Sequence, residues 1–143
     1  MRSWGALLVA KEGKYTLAEF PDCPGCQTFV GEGESIEAMA EDALAGWLAS
    51  NLSRALSPSR PRPHRTVKGS DFIHVEVPPV LAVRLELRWA REDANLTQAD
   101  LAQSIGISQQ QVAKLEGPDA NPTLDTLQRV AEGLGRRLHV SLS

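Results

Sequence analysis

The segment Thr97–Gly117, TQADLAQSIGISQQQVAKLEG, constrains the fold of this 143-residue chain more than any other. Gly106 falls at the expected turn between two short helices, where the backbone usually needs a positive φ. Around it, apolar residues recur at the positions where two crossing helices touch: Leu101, Ile105, Ile107, Val112 and Leu115. The segment therefore predicts a helix-turn-helix unit, a motif whose second helix enters the major groove of DNA.

Two capping patterns mark the starts of these helices. Ser108 is followed three residues later by Gln111, and Thr97 is followed three residues later by Asp100. In such a pair the first side chain accepts a hydrogen bond from the backbone of the second residue, whose own side chain bonds back. The sequence therefore predicts that one helix begins at about Thr97 and the next at about Ser108.

The exposed face of the second helix carries side chains that suit DNA. Glutamine can form two hydrogen bonds with adenine in the major groove, and lysine can contact guanine or phosphate. A residue that opens a helix can also offer its backbone N–H to a phosphate. On these grounds the predicted DNA-binding residues are Gln98, Ser108, Gln109, Gln110, Ala113 and Lys114. The alternative is that the glutamines form only a polar helix surface.

The distribution of charge limits how this unit would bind DNA. The whole chain has a net charge of −3. Residues 80–143 carry seven basic and eight acidic side chains, so affinity would depend on local placement of positive groups and on dimerisation. Residues 1–57 carry four basic and eight acidic side chains, which would suit a basic protein partner or simply aid solubility. The basic segment Arg60–Lys68 is either a solvated connector or a further contact to phosphate or a partner.

The composition is typical of a globular protein, with 42% hydrophobic residues. The apolar run Trp4–Ala10 is too short for a secretory signal. No segment approaches the ~20 apolar residues of a membrane span. We therefore expect a cytoplasmic protein with no membrane partner.

The front half of the chain predicts a β-β-β-α-β unit. Alternating residues indicate strands at Ser3–Ala10, Tyr15–Phe20 and Gln27–Val30, separated by turns that contain glycine or proline. A helix follows over Ser35–Leu56, with Ser35 as its N-cap, and Phe72–Val77 then alternates as a fourth strand. The apolar stripe of the helix, which should lie across the strands, comprises Ile36, Met39, Ala40, Ala43, Leu44, Trp47 and Leu48.

The back half changes to the helical period. A helix is expected from Val80, and another over Leu124–Leu134 follows the helix-turn-helix. Leu138, Val140 and Leu142 then alternate as a short terminal strand, which either pairs with another subunit or completes its own domain. The sequence thus predicts an α+β protein with an α/β domain over residues 1–78 and an all-α domain over residues 79–143.

Residues 80–143 resemble the helix-turn-helix domain of lambdoid phage repressors and of the wider Xre family. The matching positions are Arg91, Gln98, Ala102, Gly106, Gln109, Gln110, Val112, Lys114, Leu115 and Glu116. In that family a basic residue late in the first helix pairs with an acid that closes the recognition helix. The resemblance therefore implies a structural pair between Arg91 and Glu116. Arg84 and Arg88, on the same helix as Arg91, are then expected to be solvated charges.

The front half resembles the HicB family of antitoxins. The signature of that family is a Pro-Asp-x-Pro-Gly-Cys turn, a glycine-rich strand end and a helix rich in Glu and Ala. The matching residues are Pro21, Asp22, Pro24, Gly25, Cys26, Gly31, Ala38, Ala40, Ala43 and Trp47. Cys23 departs from the pattern, because an apolar residue is more usual there. HicB proteins also place a helix-turn-helix after this unit, so the resemblance covers both halves of the chain.

The resemblance implies a function as well as a fold. The front domain is expected to have a partial ribonuclease-H-like fold. A HicB-like antitoxin of a type II system binds and masks HicA, a small basic mRNA endoribonuclease, and represses its own operon. The implied partners are a HicA-like toxin, double-stranded operator DNA and further copies of the chain, in a homodimer or higher homo-oligomer. No cofactor is implied.

Other functions are compatible with parts of the sequence. A nuclease would need several carboxylates around Mg²⁺, but the first strand has no acid, and Glu19 and Asp22 have no evident partners. A redox or zinc site at Cys23 and Cys26 is disfavoured, because the segment leads into a strand and supplies only two ligands. We therefore expect no enzymatic activity and no metal site. The remaining alternative is an orphan repressor whose front domain senses a ligand or a protein.

Overall fold

The structure is a computed structural model that describes residues 3–11, 15–62 and 71–142. The chain divides into two compact units, Met1–Leu81 and Ala82–Ser143. This division falls three residues after the one expected from the sequence, between residues 78 and 79. Within the described ranges, no helix combines the length and the apolar character that a membrane span requires.

The first unit is a four-stranded antiparallel sheet with one helix. The strands are β1 (Trp4–Lys11), β2 (Tyr15–Glu19), β3 (Gln27–Gly31) and β4 (Asp71–Val75), and the helix α1 (Ile36–Ser53) lies between β3 and β4 in the chain. The sheet order is β3-β2-β1-β4, so the strand that follows the helix pairs with β1. The predicted β-β-β-α-β order is therefore confirmed.

The core of this unit lies between α1 and one face of the sheet. Strand pairing sets Trp4 opposite Val75 and Thr16 opposite Val30, so alternate residues of neighbouring strands share a face. The buried residues of this face are Trp4, Ala6, Ala18, Val30 and Val75. The helix contributes Ala40, Leu44, Leu48 and Leu52, at the spacing of one helical stripe. The predicted packing of the α1 stripe across the strands is thus confirmed for Ala40, Leu44 and Leu48. The other predicted members are only half-buried: Ile36, Met39, Ala43 and Trp47.

The geometry of the turn between β2 and β3 accounts for the proline and the glycine in its sequence. The backbone N–H of Cys26 donates to the carbonyl of Cys23 at 2.9 Å, and Gly25 between them has φ +94°. Pro24 precedes it at the second position of the turn. A type II turn favours proline at its second position and requires a positive φ at its third position. Glycine adopts that positive φ at the lowest cost.

The second unit is helical. The helix α2 (Pro79–Asp93) continues into it, followed by α3 (Gln98–Ile105), α4 (Gln109–Leu115) and α5 (Leu124–Gly133). Ile105 and Ile107 pack against its core as partly buried residues, as the sequence predicts. The buried core residues are Leu101, Ala102, Val112, Leu115 and Val130. The predicted helix-turn-helix framework is therefore confirmed.

The predicted terminal strand is not formed within the chain. Residues 136–142 have no regular secondary structure. The prediction rested on the alternation of Leu138, Val140 and Leu142 alone. A strand is completed by backbone hydrogen bonds to a neighbouring strand, and none lies beside this segment in the described part of the single chain.

Gly133→Ala is expected to destabilise the second unit by about 1–3 kcal/mol, because a Cβ at this position would collide with Cγ2 of Ile105 in α3. Gly46→Ala in α1 is the matched control, since a Cβ there meets no neighbour. We expect this control to stabilise the protein by about 0.5–1 kcal/mol through helix propensity. Urea unfolding followed by circular dichroism measures both changes, and an equal effect of the two would contradict the close approach of α3 and α5.

Candidate DNA-binding site

The starts of α3 and α4 are fixed by reciprocal caps. The backbone N–H of Gln111 donates to Oγ of Ser108 at 3.1 Å, and the N–H of Ser108 donates to Oε1 of Gln111 at 2.8 Å. Thr97 and Asp100 make the same pair at 3.0 and 3.1 Å. These hydrogen bonds to Thr97 hold the pKa of Asp100 below its usual value. Both predicted capping boxes are confirmed.

The turn between the two helices depends on Gly106. This residue has φ +73° and ψ 34°, and its N–H donates to the carbonyl of Ala102. The N–H of Ile107 donates to the same carbonyl at 3.0 Å, which closes the end of α3. A residue in the left-handed conformation at this place ends the helix and turns the chain, so only three residues separate α3 from α4.

The residues predicted to contact DNA lie on the outer side of α4 and in the first turn of α3. Five are exposed: Ser108, Gln109, Gln110, Ala113 and Lys114. Gln98, on α3, is half-buried. Positions 109 and 113, and likewise 110 and 114, are neighbours one turn apart, so four of these side chains form one continuous patch. Their contact with DNA stays a prediction.

The third glutamine of α4 has a different task. Oε1 of Gln111 is committed to the cap at Ser108, as described above. A contact with a base that used both the oxygen and the nitrogen of this amide would therefore break the hydrogen bond between Ser108 and Gln111. The structure thus separates Gln109 and Gln110, whose side chains are exposed on the helix, from Gln111, which holds the helix start.

The end of α4 is tied to α2 by a buried ion pair. Nε and Nη2 of Arg91 donate to Oε2 and Oε1 of Glu116 at 2.8 and 2.9 Å. Nη1 of Arg91 donates to the carbonyl of Leu96 at 2.9 Å. The side chains are 11% and 5% exposed, and the hydrogen bond to Glu116 raises the pKa of Arg91. Arg91 therefore connects the last turn of α2, the start of α3 and the C-cap of α4.

Arg84 corrects an expectation from the sequence. It is buried, and its Nε donates to the backbone carbonyl of Glu116 at 3.1 Å. Burial lowers the pKa of Arg84. The expectation of a solvated charge was therefore wrong for Arg84. Arg88, whose side chain is only 17% exposed, pairs with Glu92 one turn further along α2, with 3.1 Å between Nε and Oε1. The missed signal is spacing, because Arg84 and Arg91 are seven residues apart and share one helix face.

A second basic residue that the sequence analysis missed is Arg129 of α5. Its Nη2 donates to the carbonyl of Ile105 at 2.8 Å, at the C-terminal end of α3. A positive charge is stabilising at this end of a helix, where carbonyl groups lack helical partners. Arg129 therefore joins α5 to the end of α3, next to the turn that precedes α4.

Asp22 in the Pro21–Cys26 turn has a partner that the sequence did not reveal. Its side chain is 2% exposed and accepts hydrogen bonds from Arg62, from the backbone N–H at 2.9 Å and from Nε at 2.8 Å. The turn is thereby fastened to the segment that follows α1. Of the basic segment Arg60–Lys68, the residues Arg65 and Lys68 lie outside the described ranges.

The two cysteines are packed into the first unit. Burial raises the pKa of Cys23 to about 12, with smaller contributions from Cys26 and Asp22, and raises the pKa of Cys26 to about 11. The thiol of Cys26 donates to the carbonyl of Ala43 at 3.7 Å. Thiols react and bind metals as thiolates. Because a raised pKa disfavours the thiolate, these two cysteines are poor nucleophiles and poor metal ligands at neutral pH. Across the described ranges, no group of three or more His, Cys, Asp or Glu residues is placed to hold a metal ion.

Asp22→Ala is expected to destabilise the first unit by about 1–3 kcal/mol, because the N–H of Arg62 loses its acceptor beside a buried turn. The matched control is Arg62→Ala, which keeps that N–H and removes a side chain that is 75% exposed. We expect the control to cost less than Asp22→Ala, because the buried carboxylate keeps the hydrogen bond from the backbone N–H of residue 62. Chemical unfolding of both variants measures the difference, and a larger effect of the control would contradict the anchoring role of the backbone bond.

Comparison with known proteins finds relatives over both units. A helix-turn-helix family profile matches residues 87–140. "Antitoxin HicB 1" of Photorhabdus laumondii subsp. laumondii is 30% identical over 132 residues, which are 92% of this chain and 81% of that protein. "Antitoxin HicB 2" of the same organism is 27% identical over 121 residues, 85% of this chain and 83% of that protein. A chain of a solved "HicA3 and HicB3 toxin-antitoxin complex" is 23% identical, with a TM-score of 0.47, and covers 55% of this chain and all of its own length.

Proposed function

This chain belongs to the HicB family of antitoxins and carries a helix-turn-helix domain, and we propose that it is the antitoxin of a type II toxin–antitoxin pair. In this proposal residues 1–78 bind and neutralise a HicA-like mRNA endoribonuclease. Residues 79–143 bind operator DNA and repress the operon that encodes both proteins. The antitoxin acts by binding and performs no catalysis of its own.

The observation that carries the DNA-binding part is the exposed patch of α4. Its framework is complete, with capped helix starts, a left-handed glycine at the turn and a buried ion pair at the helix end. On that framework Gln109, Gln110 and Lys114 stand free of the core and offer the groups that bind adenine, guanine and phosphate. Gln98 begins α3, and Ser108 is the N-cap of α4.

The toxin-binding part is supported by the charge and surface of the first unit. Its first 57 residues carry twice as many acidic as basic side chains, which complements a basic toxin. Tyr15 and Phe29 lie on the sheet face opposite the core, 40% and 53% exposed, with their rings 5.4 Å apart. Exposed aromatic residues of this kind are enriched where proteins bind one another.

The proposal predicts a homodimer on DNA. Half-sites for helix-turn-helix proteins are usually paired about one helical turn apart, which requires two copies related by a twofold axis. Residues 80–143 carry more acidic than basic side chains, so one copy can make few contacts with phosphate. Two copies bound side by side would double the number of these contacts.

A growth experiment tests the antitoxin function. The short open reading frame that neighbours the gene is expressed from an inducible promoter, alone and together with the full chain. We expect growth arrest in the first case and normal growth in the second. If the neighbouring product arrests growth in both cases, this chain is not its antitoxin.

A further inference from the structure

The sheet of the first unit has a second face, turned away from α1, which we call the outer face. Strand pairing sets Leu17 opposite Val9 on β1 and opposite Phe29 on β3, so these three side chains form one row across the outer face. Tyr15, two residues before Leu17, packs edge-on against Phe29. Leu17, in the middle of the row, is only 7% exposed, whereas Phe29 is 53% exposed. These four residues form an apolar patch, the outer patch, that is partly open to solvent.

The next row of the outer face adjoins a cavity of about 320 Å³. In this row Glu19 stands opposite Leu7 on β1 and opposite Gln27 on β3. The cavity lies where these three residues meet the turn that joins β2 to β3, and its further lining includes Phe20, Pro21 and Pro24. Among the described residues that line the cavity, Glu19 is the one that carries a charge, and most of the others are apolar.

The carboxylate of Glu19 is available to a partner. Glu19 is exposed, and no described residue forms an ion pair or a hydrogen bond with its side chain. Asp22, three residues later, differs because its carboxylate is buried and accepts two hydrogen bonds from Arg62. A long cationic side chain suits the cavity, since its apolar stem would lie along the apolar walls while its charged end meets a carboxylate.

We propose that a lysine or arginine of the toxin enters this cavity and pairs with Glu19, while the outer patch packs against apolar surface of the toxin beside it. The inference rests on the proposed function, in which the first unit binds a small basic protein, and it assigns that binding to the outer face. The aromatic rings of the patch supply apolar contact area, and the ion pair fixes the orientation of the partner.

The charge of the first unit favours a basic partner over a second copy of this chain. Residues 1–57 carry eight acidic and four basic side chains, so two copies that met through their outer faces would bring like charges together. A copy related by a twofold axis would also present its own Glu19 to the shared interface, and not a cation. A basic protein supplies the opposite charge in both respects.

Binding of the full chain to the purified product of the neighbouring short open reading frame tests the site, with affinity measured by isothermal titration calorimetry. Glu19→Lys places a positive charge against the cation of the toxin, and Phe29→Ala removes the more exposed ring of the outer patch. We expect each variant to bind about 30-fold or more weakly, as changes at the centre of an interface do. Both positions are exposed, so circular dichroism should give the spectrum of the wild type.

Glu41→Lys is the matched control for the change of charge. This glutamate is also exposed, but it lies on α1, where it lines a more acidic groove with Asp42 and Glu76. We expect this variant to bind the toxin nearly as the wild type does. If Glu41→Lys weakens binding more than Glu19→Lys does, the toxin docks on α1 and the proposed site is wrong.

Reversal of charge on the toxin identifies the cation. Each lysine and arginine of the toxin is changed to glutamate in turn and titrated against the Glu19→Lys variant. We expect one such reversal to restore the affinity for Glu19→Lys while it weakens binding to the wild type. If no reversal does both, Glu19 has no cationic partner and the ion pair is refuted.

The outcomes separate this site from the function on which it rests. If the wild type binds the toxin, and Glu19→Lys and Phe29→Ala bind it equally well, the antitoxin function stands and the outer face is refuted as its site. If the wild type does not bind the product of the neighbouring reading frame, the toxin partner itself is refuted, and the docking with it.

Discussion

Arg91→Leu and Glu116→Leu are each expected to destabilise the helix-turn-helix unit by about 3–5 kcal/mol, because each change leaves a buried charge without its partner. Glu116→Leu removes the carboxylate that accepts from Nε and Nη2 of Arg91, and Arg91→Leu removes both of these donors from the buried carboxylate of Glu116. Urea unfolding gives the free energy. Hydrogen exchange of peptides from α3 and α4 shows that the loss falls on this unit.

The double variant is the control for this prediction. Arg91→Leu combined with Glu116→Leu removes both charges, so neither is left uncompensated. We expect it to be less destabilised than the sum of the two single variants, with a coupling free energy of about 0.5–3 kcal/mol. Additive effects would mean that the two residues act independently and would contradict the ion pair as the element that ties α4 to α2.

Gln109→Ala combined with Gln110→Ala is expected to abolish the footprint on operator DNA. Each side chain that reads a base contributes about 1–3 kcal/mol to specific binding, so the loss of both removes most of the discrimination against other sequences. Both residues are exposed and neither takes part in the cap or the core, so the fold should remain unchanged. Protection of the chain's own promoter against nuclease digestion is the measurement.

Gln103→Ala provides the matched control. This glutamine is also exposed, but it lies on α3 outside the predicted contact surface. We expect the control to protect the promoter as the wild type does, and both variants to rescue growth from the toxin. A normal footprint by the Gln109→Ala and Gln110→Ala variant would show that the wrong helix face has been assigned to DNA.

The parts of this fold that sequence predicted are those with local causes. Gly106 and the pairs that begin at Thr97 and Ser108 act within four residues, so their spacing alone located the turn and both helix starts. The Pro24-Gly25 turn is equally local. The helix-turn-helix framework followed because its apolar residues repeat at helical spacing over one continuous segment.

The contacts that sequence did not predict join residues far apart in the chain. Arg62 lies 40 residues after Asp22, and Arg84 lies 32 residues before the carbonyl that it binds. Spacing along a helix can show which residues share a face, but it does not name their partners, because each contact depends on how strands and helices are brought together. The strand predicted for the terminal segment failed for a related reason. Alternation of apolar and polar residues leads to a strand only where a partner strand lies beside it.

Affinity purification of this chain, co-expressed with the product of the neighbouring short open reading frame, tests the central claim most directly. The account predicts a stable complex with a small basic protein, and protection of the chain's own promoter by the purified material. Recovery of the chain without that partner, although it still protects its promoter, would contradict the antitoxin function and leave an orphan repressor.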